Sequence, residues 1–128
     1  MAQLRVRPTD AELAILQVLW DRGPSTVRQV FEALADARET GYTTTLKLMQ
    51  IMAEKGLVSR DESARTHIYA ARASRDLTQR RLVSDLLDRA FGGSAATLVM
   101  QALSSHPTSA AELRDIERLI ADFKGKKR

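Results

Sequence analysis

The stretch from Gly41 to Val58 constrains the fold of this chain more than any other. Two glycines, Gly41 and Gly56, bracket a run of helical length that passes directly into strand-like sequence. Thr43 is expected to cap the first turn by accepting an orphaned backbone N–H, and Gly56 to end the helix in the left-handed conformation. At about 100° per residue, Thr45, Leu48, Met49 and Met52 share one face that suits a core. Thr43, Lys47, Gln50 and Glu54 share the opposite face, flanked by Thr44 and Leu46. Gln can pair bidentately with adenine, Lys reaches guanine or phosphate, and small apolar groups touch the thymine methyl. A merely solvated face would carry similar residues, so the neighbouring segments must decide between the two readings.

Upstream, Thr9 and Glu12 stand at capping-box spacing ahead of a helix from Asp10 to about Asp21. Leu13, Leu16, Val18, Leu19 and Trp20 give it much to bury, with Trp20 expected as a core anchor. Arg22-Gly23-Pro24 breaks it. Ser25-Thr26-Val27 is then expected as an extended bridge that also caps a second helix, with Val27, Val30, Phe31 and Leu34 at helical spacing, ending near Ala37. Two helices joined by a short Gly-containing turn, the second bearing the Thr/Lys/Gln face, make a helix-turn-helix pattern. Leu57–Arg60 and His67–Ala70 read as two strands around a polar loop. Helices followed by a hairpin give the order of a winged helix, with Arg65 at the hairpin tip and Arg60 near its base. The fold class expected is therefore mainly α with a small β-hairpin.

A break near residue 72 divides a winged-helix domain over 1–72 from a helical region over 73–128. Ser74 or Asp76 can cap a long helix to about Phe91, ended by Gly92-Gly93; Ser94 opens a shorter one to Leu103; Ser109 and Glu112 form a capping box for the last. Leu82, Leu86, Phe91, Leu98, Val99, Leu103, Leu113, Ile116 and Ile120 are apolar positions on these helices. So short a segment cannot enclose its own core. Two chains pooling these faces, as a two-fold homodimer, is the expected solution; folding back on the N-terminal domain is the alternative.

Net charge is +4, with ten Lys/Arg against nine Asp/Glu in residues 1–72 and ten against seven in 73–128. That permits an anionic partner without demanding one. With no cysteine, disulfides and thiolate metal sites are excluded. His67 and His106, the only histidines, are too far apart in sequence to indicate a metal site, and His67 is expected as a half-exposed strand residue. No Gly-rich phosphate loop, Ser/His/Asp set or Cys nucleophile is present, so neither an enzyme nor a cofactor is expected. No run reaches the apolar length of a membrane span and the N-terminal residues hold no signal-peptide core, which makes a cytoplasmic location the expectation.

Leu13 and Trp20, Ser25-Thr26-Val27-Arg28-Gln29-Val30, Tyr42-Thr43-Thr44, Glu54-Lys55-Gly56-Leu57-Val58, the wing and Gly92-Gly93 together resemble the penicillinase-repressor family of the BlaI/MecI/CopY type, over about residues 8–123. The resemblance implies a bacterial transcriptional repressor that binds promoter dyads, pseudo-palindromic double-stranded operators, as a homodimer. It carries DNA contact onto Thr43, Thr44, Leu46, Lys47 and Gln50, with Arg65 on the wing. Ile51 departs from the basic residue common at its position. The cysteine cluster of the copper-responsive branch has no counterpart. In the β-lactam branch a sensor protease cuts an Asn-Phe bond in the first helix after the Gly-Gly pair; the matching bond here is Gln101-Ala102. The reading from another class is a winged-helix module that binds protein without contacting DNA, to which Glu54 on the reading face and the near-neutral N-terminal half would be suited.

Overall fold

A computed structural model describes residues 7–126. The elements run α1 (Asp10–Arg22), α2 (Val27–Leu34), α3 (Tyr42–Lys55), β1 (Val58–Asp61), β2 (Ile68–Ala71), α4 (Arg75–Ala90), α5 (Ala95–Ser105) and α6 (Ala110–Lys126). The expected fold class, mainly helical with one small hairpin, is the one observed. The chain divides into two compact units between Val83 and Ser84, later than the break expected at residue 72.

The first unit is a winged helix. Its helices start where the capping chemistry dictates. Thr9 Oγ1 accepts from the Glu12 amide at 3.2 Å while Glu12 Oε1 accepts from the Thr9 amide at 2.9 Å. Thr26 and Gln29 repeat the reciprocal pair ahead of α2. Each box satisfies two orphaned donors. Helix α2 stops at Leu34, short of the expected Ala37, and passes through a turn. Helix α3 ends on Gly56 at φ 86°, ψ 12°. There the Leu57 amide reaches Met52 O at 2.9 Å and the Gly56 amide reaches Ala53 O at 3.2 Å. This left-handed double closure favours glycine, and it turns Leu57 back onto the core as β1 begins.

The strands lie one residue later than expected, in antiparallel register with Val58 opposite Ala71 and Asp61 opposite Ile68. Ser25 adds a third short rung: its amide donates to Tyr69 O at 2.9 Å and its carbonyl accepts from the Tyr69 amide at 2.8 Å. The expected bridge thus ties the hairpin to the link between α1 and α2. Tyr69 consequently sits fully buried with Ile15, Leu16, Leu19, Val30, Met49, Met52 and Val58. Trp20 is not in that innermost set. It is half-buried at the end of α1, where its indole N–H donates to Ala73 O at 3.0 Å. The Arg75 guanidinium lies 5.7 Å over its ring and pairs with Asp21. These contacts, with buried Thr78, hold the start of α4 in the first unit. A single tryptophan serves better here than in the centre, because its N–H needs an acceptor when buried.

One charged pair of this unit has a buried carboxylate and a half-exposed ammonium. Glu12, 2% exposed, accepts from Lys55 Nζ at 2.8 and 3.0 Å. Burial, the largest single influence, disfavours its charge; the Lys55 ammonium and the Thr9 bonds outweigh it, so the carboxyl titrates below its ordinary range. The pair fixes the start of α1 against the end of α3.

The second unit holds the end of α4, then α5 and α6. Gly92 and Gly93, at φ 56° and 80°, make the turn between α4 and α5. Ser94 caps α5 through the Thr97 amide, and Ser109 caps α6 through Glu112. Neither α5 nor α6 buries a single residue.

Candidate nucleic-acid interface

Helix α3 begins at Tyr42, ahead of the expected start. Its N-cap is Gly41, with no side-chain cap, so Thr43 does not cap the helix. The reason is tertiary: the Tyr42 ring packs edge-on to Phe31 of α2, with centroids 5.7 Å apart and planes at 79°. That contact draws Tyr42 into helical register and frees the Thr43 hydroxyl. Thr45, the third threonine, is 2% exposed and its hydroxyl donates to Gly41 O at 3.2 Å.

The two faces of α3 separate largely as the spacing requires. Thr45, Met49 and Met52 are buried, and Leu48 is half-buried against them. Thr43, Thr44, Lys47, Gln50 and Glu54 are exposed. Leu46 differs from the other nominated contacts: it is half-buried and packs on the core. It borders the exposed face and supports it from below. Ile51, 38% exposed, lies four residues after Lys47 on the same side. Among the described residues, no ion pair or side-chain hydrogen bond engages Lys47 or Gln50. Lys55, by contrast, is committed to Glu12.

The wing divides in the same way. Arg65 is exposed at the tip. Arg60 is paired with Glu62 at 2.6 Å, and its pKa is raised, first by a hydrogen bond with Tyr69 and then by Glu62. Asp61 is lowered by accepting from the Ser63 amide at 2.9 Å, a turn that starts the loop. His67 is exposed and precedes β2, not half-exposed within a strand. The arrangement therefore joins Thr43, Thr44, Lys47 and Gln50 on one rigid helix, and places Arg65 on the adjoining hairpin. Sequence reasoning passed over Arg28, whose guanidinium lies over the Tyr42 ring; its signal was the Arg28–Phe31 spacing on α2.

Among the described residues, no group of three His, Asp or Glu side chains could hold a metal ion, and no helix is long and apolar enough to cross a membrane.

The family model described as penicillinase repressor matches residues 8–122. The chain belongs to this family. It is 38% identical over 123 residues to the transcriptional regulator BlaI of Mycobacterium tuberculosis, a match covering 95% of this chain and 80% of that protein. It is 18% identical over 126 residues to the penicillinase repressor of Staphylococcus aureus, covering 98% of this chain and all (100%) of that one. Among solved structures, monomeric Bacillus licheniformis BlaI in complex with the blaP half-operator superposes with a TM-score of 0.50 at 18% identity, over 56% of this chain and 88% of that one. At that identity the likeness concerns the fold, the winged helix already described. Family membership makes the free polar face of α3 the part of the surface to account for.

Proposed function

We infer that this chain is a DNA-binding transcriptional repressor that occupies a pseudo-palindromic promoter site as a homodimer in the bacterial cytoplasm. The observation that carries this reading is the exposed Thr43-Thr44-Lys47-Gln50 face of α3, held rigid by the buried Thr45-Met49-Met52 face beneath it. Side-chain amides and hydroxyls on a pre-ordered helix can read base edges in the major groove, while a lysine reaches guanine or phosphate. Arg65 at the wing tip serves the neighbouring backbone. Membership of the penicillinase-repressor family and the names of its relatives support repression as the outcome.

Dimerisation falls to the helices after residue 73, the region where many large apolar side chains stay exposed. Leu86 (45%), Val99 (44%), Leu103 (38%), Leu113 (40%) and Ile120 (50%) are exposed, and Leu82, Phe91, Leu98 and Ile116 are half-buried. A two-fold dimer presents recognition helices about 34–36 Å apart to successive major grooves. It makes the second contact effectively intramolecular, worth about 10²–10⁴ in avidity. Release follows from losing that linkage. A sensor protease acting at Gln101-Ala102 would do so by separating α6 from the rest. That bond lies inside α5, and the Gln101 carbonyl also accepts from the Ser105 hydroxyl, so cleavage requires α5 to unwind first.

Sequencing the genomic fragments the protein retains gives the operator. On it, Gln50→Ala should cost about 1–3 kcal/mol with little loss on random DNA, whereas Lys47→Ala should weaken both. Parental operator binding by both variants would remove α3 as the reading helix.

A further inference from the structure

The first turn of α2 carries a cation that the reading face does not use. Arg28 is the second residue of α2 and is exposed. Its guanidinium carbon lies 4.7 Å from the centroid of the Tyr42 ring and 6.0 Å from that of Phe31. Among the described residues no carboxylate pairs with it. Arg60, Arg75, Arg80, Arg89 and Arg118 all have such partners. Arg28 is thus immobilised by rings that leave its hydrogen-bond donors free.

An exposed arginine ordinarily samples many rotamers and loses that freedom on binding. Cation–π contact with two rings removes part of the loss beforehand. The guanidinium edge keeps its planar fork, which matches phosphate oxygens bidentately. Tyr42 is the first residue of α3 and adjoins Thr43 and Thr44, so the cation is anchored beside the start of the reading face. In helix-turn-helix docking, the first helix crosses the DNA backbone while the second enters the groove.

We propose that Arg28, held on the Phe31–Tyr42 ring pair, is a backbone-phosphate clamp that sets the position of α3 in the groove. It fixes register and carries no base specificity. The inference rests on the DNA-binding reading. Its rival is a purely structural role, in which Arg28 only staples α2 to α3.

The test measures the full chain binding a random-sequence DNA duplex across a series of salt concentrations, with a melting temperature for each variant. The parent should bind with log K falling linearly in log salt. Arg28→Gln should bind about tenfold more weakly at low salt. Its slope should be shallower by about 0.9 for each protomer engaged, and its melting temperature within about 4 °C of the parent. Arg28→Lys keeps the charge and loses the fork and the stacking, so it should keep the slope and lose part of the affinity. Tyr42→Leu keeps apolar contact with Phe31 and removes the platform, so it should lose affinity several-fold. A parent that shows no salt-dependent binding defeats the DNA-binding reading itself. A parent that binds, with Arg28→Gln at the parental slope, overturns the clamp alone, as does a variant that melts early yet keeps that slope. Should Arg28→Gln not fold, unchanged affinity in Tyr42→Leu overturns it.

Discussion

The two units of this chain are both built largely from amphipathic helices, yet only one has an interior. All ten buried hydrophobic residues among those described fall between Ile15 and Tyr69. Helices α5 and α6 bury none, although Leu113, Leu119, Ile120 and Phe123 stand 40%, 55%, 50% and 67% exposed along α6. Helical periodicity creates an apolar face in both units. It does not supply what covers that face. In the first unit, α1, α2, α3 and the hairpin approach from several directions and close a core. In the second, the end of α4 with α5 and α6 closes no core of its own. Full burial of an exposed apolar side chain is worth about 1.5–3 kcal/mol, and a second copy of the chain is the proposed recipient of the part still open to water.

The largest contrast should come from cutting each unit's apolar set. Met52→Ala removes a fully buried side chain and should cost about 2–5 kcal/mol in urea unfolding of the first unit. Phe123→Ala should leave that transition within about 0.5 kcal/mol. Equal losses would erase the distinction between the units.

Glu12→Ala should follow, at about 2–3 kcal/mol, since it strands the Lys55 ammonium and opens the α1 capping box. The figure sits below that for a fully buried pair because Lys55 keeps 34% of its side-chain surface in water. The pair also predicts a pH dependence. The folded carboxyl titrates below its ordinary value of 4.5, so its contribution is complete above that pH and is lost as pH falls through the lowered value. Glu12→Gln should flatten this acid limb. An identical limb in the variant would assign acid sensitivity elsewhere.

In the second unit, Ile120→Ala should weaken self-association by about tenfold or more, as followed by sedimentation, without moving the melting of the winged helix. A concentration-independent monomer in the parent would break the proposed dimer. The smallest effect should come from Ile51→Arg. A cation restored beside Lys47 should steepen the salt slope on random duplex by about 0.9 per protomer, and no change would place Ile51 away from the backbone.

Much of this was legible in the sequence because its causes are local. Thr9 with Glu12, Ser94, Ser109 with Glu112 and the left-handed Gly56 declare helix ends through bonds spanning a few residues. The spacing of Thr45, Met49 and Met52 declared the buried face of α3, and therefore the exposed one. What escaped depended on partners distant in the chain. Thr43 lost its capping role because Tyr42 packs on Phe31; Leu46, expected beside the polar face, turns partly onto the core; Trp20, half-buried against the core, spends its N–H on Ala73 O. Lys55 and Lys47 look alike in sequence, yet only one faces Glu12 across the fold. The sequence by itself determined where helices begin, end and turn their apolar sides, since hydrogen-bond closure and helical period act within a few residues. Only the tertiary structure decided which polar groups were consumed and which stayed free, because that depends on long-range packing that local spacing does not encode.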